Sequence, residues 1–573
     1  MSPAAVEQGF LQRHVPITDW IRRYQWGSWF KLDVVAAVSV AALLVPESLG
    51  YAGVAGLPPE VGLYAAPLAL LGYAVFGRST VLVVATSSST AAVSASVIAS
   101  VNNGGGTDSA VSLAAALALF TGVIFVVAGI VRLGWVANFM SRTVIEGFII
   151  GLSINIIIGQ LDDFLGIHVI GESAFQELWD AFSQIGDWNR STAVVGFVSL
   201  AMLFTLERFV KKLPAALTVV VLGILYIRLF DPDNVSIVGH IPQGLPSVAV
   251  PDFSRADISG LVGGALAVAL IGFSEGYGAA SSYAGKYGDR LDNNQEFLAL
   301  GASNIGAGFT NGMVVGGSLS KSAANDSAKA KSQMSNVVLA AFVVLTLLFL
   351  APLFESLPEA TLAAVVIGAL WHSANPRKLA PVWIVNRQEF WLALVVMITV
   401  LTLDTLPAII LGVLVSLALV IYRASFPETS QLGRDRTTGT FESLAHSPDA
   451  ETIDGIVVYR FDAPLMYANA GTFANEARHL IEAAEPQPEV LVIDCEEMFA
   501  MDFTGVEALG ELVEEMDGRG VEVRLARVHH RVRVRLDRSG LIEKLGGQKL
   551  YARVADAVEA GPPVSLHTQD TRS

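Results

Sequence analysis

From residue 34 to residue 421 the chain alternates long apolar stretches with short polar or glycine-rich connections. The apolar stretches are Val34–Ala52, Val61–Phe76, Val81–Ser100, Val111–Val131, Val144–Phe164, Thr192–Leu206, Ala215–Leu229 and Ile258–Tyr283. A second set follows: Phe297–Ala307, Ser320–Ala328, Val337–Leu350, Ala360–Leu370, Phe390–Leu403 and Ala408–Ile421. Several are too short to cross about 30 Å of hydrocarbon as intact helices. Short Gly- and Ser-rich segments in both halves are the signature of inverted-repeat transporters with broken helices. The pattern therefore predicts a polytopic α-helical membrane protein with a transmembrane part over 34–423, preceded by a cytoplasmic segment over 1–33. In that segment WIRRYQWGSWF reads as an interfacial lead-in, with Trp20, Trp26 and Trp29 at headgroup level.

The pattern changes after Arg423. Residues 424–450 read as a linker, and 451–560 as a small α/β domain. Strand-like runs at Gly455–Tyr459, Val490–Asp494 and Val521–Ala526 alternate with helical patterns at Asn469–Glu485 and Gly505–Asp517. The tail 561–573 has the composition of a disordered segment.

Composition narrows the class. Hydrophobic residues make up 53% of the 573 and charged residues 16%, which excludes an ordinary soluble protein. The net charge of -16 gives no reason to expect a nucleic-acid partner. The single cysteine, Cys495, excludes an internal disulfide and a cysteine metal cluster. There is no nucleotide-binding loop and no metal motif, so neither enzymatic chemistry nor a cofactor is expected. With a cytoplasmic N-terminus, alternation places Arg78, Arg132, Arg142, Arg208, Lys211, Lys212, Lys286, Arg290, Lys329, Lys331, Arg377, Lys378, Arg387 and Arg423 inside. Arg190, Arg228 and Arg255 are exceptions. The bias predicts both termini in the cytoplasm.

The polar residues within the apolar region are the candidates for chemistry. GAGFTNGMVVGGSLSKSAANDSAKAK, at 306–331, carries one cation, Lys321, near its middle. Irregular backbone at membrane depth must line a cavity or be buried in protein, and a cation there marks a site. Ser318, Leu319 and Ser320 open a short helix whose amides and positive dipole end suit an anion. VLVVATSSSTAAV, at 81–93, has the same design: an extended apolar run, then Thr86, Ser87 and Ser88 at a helix start. Two such ends meeting across a cavity would concentrate donors on a small anion; close helix packing is the alternative use of small residues. Glu47 lies beside Pro46, which is expected to break the first helix. A carboxylate there either exchanges a proton during transport or stays protonated or paired in a structural role. Glu275 either neutralises Lys321 or is the protonatable group instead. Asp292 and Glu296 are expected to be solvated or capping, and Glu146 with Arg142 to form an end-of-helix salt bridge. In CEEMFAMDFTGVEAL, Thr504 is expected to cap a helix, and its hydroxyl also suits phosphorylation. The basic run RVHHRVRVRLDRSG suits an anionic leaflet or the acidic remainder of its own fold.

Four stretches carry a resemblance to the SulP anion permeases: VPESLGYAGVAGLPPEVGLYAAPLALLGYAVFG at 45–77, DNNQEFLALGASNIGAGFTNG at 292–312, GGSLSKSAAN at 316–325 and MDFTG at 501–505. The resemblance implies seven plus seven inverted spans in a core and a gate domain, with an anion between the N-terminal ends of the third and tenth. It implies elevator-like alternating access, a homodimer in the cell membrane, and a C-terminal domain similar to anti-sigma-factor antagonists (STAS). Three positions depart from the family pattern: Glu47 replaces glutamine, Ala85-Thr86 replaces Gly-Pro, and Lys321 replaces arginine. Glutamate at 47 implies proton coupling, with sodium as the other cation to consider. Lysine at 321 keeps the charge but loses the planar fork. Sulfate is the expected substrate, with bicarbonate and C4-dicarboxylates as alternatives.

Overall fold

The structure, a computed structural model, describes residues 15–560 apart from 103–105, 135–140, 172, 211–213, 233, 252–257, 404 and 547–548. The expected disordered tail, Lys211, Lys212 and Arg255 therefore lie outside the described residues. The chain forms two compact units, Met1–Ser416 and Leu417–Ser573.

In the first unit each predicted apolar stretch is helical over most of its length. In order these are α1 (Trp29–Val54), α2 (Pro59–Phe76), α3 (Ser88–Val101), α4 (Thr107–Val131), α5 (Arg142–Gly159), α6 (Arg190–Phe209) and α7 (Ala215–Phe230). The second set is α8 (Ile258–Tyr287), α9 (Asn293–Phe309), α10 (Leu319–Ser327), α11 (Met334–Leu345), α12 (Glu359–Trp371), α13 (Arg387–Thr402) and α14 (Thr405–Ser425), the last running into the second unit. Among the described residues, 7 helices are long and apolar enough to cross a bilayer unaided. Most of the others are shorter, and two of these, α3 and α10, follow the short strands β1 (Val83–Ala85) and β2 (Gly316–Ser318).

One expectation fails here. Pro46 does not break α1, which runs unbroken past it. Proline removes one donor, but packing on every side holds the helix: Leu44, Val45, Pro46 and Glu47 are all buried.

The packing repeats with a period of seven helices. Helix α4 lies against α9 as α11 lies against α2; α1 lies against α11 as α8 against α4; α1 meets α10 as α8 meets α3; and α5 meets α13 as α12 meets α6. This exchange of partners is the internal evidence for two inverted repeats. It also separates a core of α1–α4 with α8–α11 from a second group in which α5, α6, α12 and α13 pack together.

Buried carboxylates fasten one end of the core. Asp33 accepts from the Lys331 amide at 2.6 Å and from the Ser332 hydroxyl at 2.9 Å. Glu296 is buried and accepts from the Tyr73 hydroxyl at 2.7 Å and the Arg78 amide at 3.1 Å. That corrects the expectation of a solvated Glu296: only Asp292 is a cap, accepting from Asn294 and Gln295 amides at the start of α9. Asp289, in the loop before α9, accepts from the amide and hydroxyl of Thr80, each at 2.7 Å. Burial raises its pKa against those two bonds. Glu146 pairs with Lys378 at 3.5 Å rather than with Arg142 on its own helix.

The second unit holds a mixed sheet in the order β4 (Phe441–Ser443), β3 (Thr429–Asp435), β6 (Ile456–Phe461), β7 (Val490–Asp494), β8 (Glu522–Ala526) and β9 (Leu550–Tyr551), with β5 (Ala450–Glu451) pairing β3 off this path. Strands β6 to β9 are parallel. Helices α15 (Ala470–Ala483), α16 (Phe503–Gly518) and α17 (His530–Arg538) contribute to one apolar core, and α18 (Val554–Glu559) to another. Strand β3 begins at Thr429, inside the stretch read as a linker, so the folded unit starts earlier than the apolar pattern indicated.

Candidate functional site

Strands β1 and β2 pair antiparallel, with Val83 opposite Ser318, Val84 opposite Gly317 and Ala85 opposite Gly316. Each strand leads into a helix, so α3 and α10 begin at the two opposite ends of this short ladder, only a few residues apart. Ser87 is the N-cap of α3 and forms a capping box with Thr90. Ser318 is the N-cap of α10 and accepts from the Lys321 amide. The first amides of each helix have no partner within it, so the two ends present donors and the positive poles of two dipoles in one place.

Side chains from distant positions support this irregular backbone. Asn304 takes both backbone groups of Val315, each at 3.0 Å. The Ser322 hydroxyl accepts from the Val83 amide at 3.0 Å, and Asn336 donates to the Leu82 carbonyl at 2.8 Å. Gly317 permits the close approach of α8: a Cβ there would stand 2.4 Å from the Gly276 Cα. That contact carries the neighbouring Glu275 to the start of α3.

Lys321 is fully buried, and its ammonium donates to Glu47 at 2.5 Å and to the Thr86 carbonyl at 3.1 Å. The Tyr51 ring lies 5.2 Å away. Glu47 is itself 3% exposed, so this is a dry ion pair, with both charges compensated at short range. Of the two acids weighed as partners of Lys321, Glu47 makes the ion pair. Glu275 instead accepts from the Ser87 hydroxyl at 3.3 Å and from the Ser89 hydroxyl. Its carboxylate thus occupies the hydroxyl donors at the start of α3, as an anion would. The Thr86 hydroxyl shares a 2.9 Å bond with Ser48, and Ser88 is half-buried. On the α10 side Ser318 is buried, whereas Leu319 and Ser320 are exposed. The Leu319 side chain has no polar group to offer, and only its amide belongs to the donor set.

Ser89, Ser48 and Tyr51 belong to this cluster and were not singled out from sequence. Ser89 continues the hydroxyl run, and Tyr51 follows Glu47 by one helical turn, so both carried a readable signal. Ser48 did not: its importance comes from the Thr86 contact alone.

In the second unit Thr504 does not cap. Asp502 is the N-cap of α16 and accepts from the Gly505 amide at 2.8 Å, while Thr504 is exposed in the first turn. The aspartate lies one residue before the helix, where the cap geometry requires it. Two cations of the basic run turn onto their own domain, while Arg531, Arg533 and Arg538 are exposed: Arg527 pairs with buried Asp494 and with Glu496, and Arg535 donates to the Met501 carbonyl. Its pairing with Asp494 and Glu496 raises the pKa of Arg527 above its usual value, against the burial that lowers it. Cys495 is buried beyond the end of β7, and burial, with help from Asp494, pushes its thiol well above the usual range. Among the described residues no cluster of His, Cys, Asp or Glu is arranged for a metal.

The sulfate permease family model matches residues 30–399, and the STAS domain model residues 447–557. The chain belongs to the sulfate permease family. It is 32% identical to a probable sulfate transporter of Mycobacterium tuberculosis, across 98% of this chain and 99% of that one. It is 30% identical to sulfate transporter 4.1, chloroplastic, of Arabidopsis thaliana, across 95% and 82%. Its fold is that of the murine Solute Carrier 26 family member A9 anion transporter in an inward-facing state, with a TM-score of 0.88, 23% identity and coverage of 97% and 95%. The transmembrane domain of a cyanobacterial bicarbonate transporter aligns with a TM-score of 0.60 at 20% identity, over 70% and 98%. This sulfate permease family member is therefore a multi-pass membrane protein that moves anions across the bilayer, not an enzyme.

Proposed function

We propose that the protein imports sulfate together with protons across the plasma membrane, by an elevator-type movement of the core against the second helix group. The anion sits between the starts of α3 and α10, held by Thr86, Ser87 and Ser88 on one side and by Ser318, the Leu319 amide, Ser320 and Lys321 on the other. The observation that carries this reading is the buried Lys321–Glu47 pair between the two helix ends.

Coupling follows from charge accounting. While Glu47 is ionised, Lys321 is compensated and offers little net attraction to a second anion. A proton on Glu47 leaves the ammonium with the Thr86 carbonyl, a ring face and the more distant Glu275 carboxylate, and a buried cation that has lost its close counter-charge is costly. An anion settling at the helix ends removes that cost, so proton and anion bind cooperatively. Glu275 is the second acid to discharge, since its carboxylate holds Ser87 and Ser89. Both termini lie in the cytoplasm, the protein works as a homodimer, and Thr504 accepts a phosphate that modulates the C-terminal domain. No cofactor, metal or nucleic acid takes part.

Uptake into proteoliposomes tests the reading. Labelled sulfate should accumulate when the outside is acidic, with the voltage clamped, and Glu47→Gln should abolish that accumulation while retaining sulfate exchange. Unchanged accumulation in Glu47→Gln would remove Glu47 from the coupling role. Competition by bicarbonate or fumarate stronger than by unlabelled sulfate would overturn the substrate, and dependence on sodium alone would overturn the coupling ion.

A further inference from the structure

The inverted repeat makes the loop after α5 equivalent to the loop after α12. Seven crossings separate them, so they lie at opposite faces of the membrane. Each contains a short helix with an apolar surface that no part of the described chain covers. In the first loop the helix Ala174–Ser183 has two apolar stripes. Ala174 and Ala181 are buried, Ala174 in a cluster with Ile158 of α5 and Leu401 of α13. Phe175, Trp179 and Phe182, spaced one helical turn apart, are 54%, 78% and 59% exposed. In the second loop Leu379 is buried against α5 and α13, while Ile384 and Val385 of the helix Ala380–Val385 are 83% and 87% exposed.

The two surfaces differ in charge. Residues 166–187 contain no Lys or Arg. In the other loop Arg377 and Arg387 are exposed, and the Arg387 guanidinium lies 5.1 Å from the Trp383 ring, which contacts Trp391. Lys378 is shared with Glu146 and so contributes less. Both loops join directly to helices of the transmembrane part, α6 and α13, on which Phe197 and Val395 are exposed in turn. Aromatic and aliphatic groups at that depth belong in the interfacial layer. Cations beside them meet phosphate headgroups there.

We propose that the two loops are interfacial anchors for the second helix group, and that the basic one, residues 376–391, binds anionic phospholipid headgroups. Its partner inserts into the opposite surface without preference for headgroup charge. Together they hold that group at a fixed depth.

The test uses the full chain in vesicles. The only native thiol, Cys495, is buried, so an Ile384→Cys or a Phe182→Cys variant takes a fluorophore at one place. Both probes should be quenched by brominated phosphatidylcholine. Brominated phosphatidylglycerol should quench the probe at 384 more strongly, and the probe at 182 no more strongly. Arg377→Gln with Arg387→Gln should lower the preference at 384 by about fivefold per cation removed, leaving quenching by phosphatidylcholine unchanged. A probe at 384 untouched by either lipid would overturn the proposal and point to a protein partner. A headgroup preference that survives the double substitution would overturn the role of the arginines.

Discussion

At the scale of single residues, the Lys321–Glu47 pair makes the strongest claim. Removing one partner of a dry pair leaves the other charged and unpaired. Lys321→Met is expected to cost about 3–5 kcal/mol, read as a fall in the denaturation midpoint of the purified protein. Glu47→Gln combined with Lys321→Met should recover most of that loss without recovering transport. Equal loss in the single and the double variant would mean that the pair is not formed. In the C-terminal unit, Asp502→Ala should cost about 1 kcal/mol because it removes the cap of α16. Thr504→Ala should cost almost nothing, and the reverse order would restore Thr504 as the cap. The residue types at the site were legible in the sequence, since a lysine and two glutamates in apolar helices need a reason. Their pairing was not, because the two members lie 274 positions apart and each acid could have reached the lysine.

At the scale of elements, hydrophobic pattern and hydroxyl runs located the half-helices. VLVVATSSST and VVGGSLSKS each read as extended chain turning into a capped helix, and both fold that way. The pattern fails where packing overrides local preference: Pro46 predicts a break in α1, but buried neighbours hold the helix through it. It was also silent on Asn304, Ser322 and Asn336, which satisfy the irregular backbone from far along the chain. Gly317 gives a direct test of the crossing. An added Cβ meets the α8 backbone at Gly276, so Gly317→Ala must move β2 away from α8, with an expected cost of about 1–3 kcal/mol. Sulfate should then no longer raise the denaturation midpoint. A midpoint that still rises with sulfate as in the unaltered protein would show that the site does not depend on this contact.

At the scale of the whole molecule, the two units divide the work. The candidate site is built entirely from the first, so removing residues 427–573 should leave the order of preference among sulfate, bicarbonate and fumarate unchanged while altering rate or assembly. A changed order of preference would place specificity in the C-terminal unit as well. That unit supplies its own test of compactness. Burial and Asp494 hold the Cys495 thiol unionised, so a thiol reagent should react slowly with the folded chain and rapidly once denaturant unfolds it. Rapid reaction of the folded protein would mean that the β7 core opens readily. The period of seven in helix contacts could be anticipated only as a likeness between halves, because which helices meet depends on contacts between segments hundreds of residues apart.

The linked binding of proton and anion is tested most directly by sulfate affinity as a function of pH, measured calorimetrically on the purified protein. Proton uptake on binding requires affinity to rise as pH falls, by up to about tenfold per pH unit for one linked proton. Glu47→Gln, which carries the neutral form permanently, should bind sulfate with an affinity that no longer tracks pH in this way. An unaltered protein whose affinity is flat with pH, or a Glu47→Gln variant with the full original slope, would contradict the account.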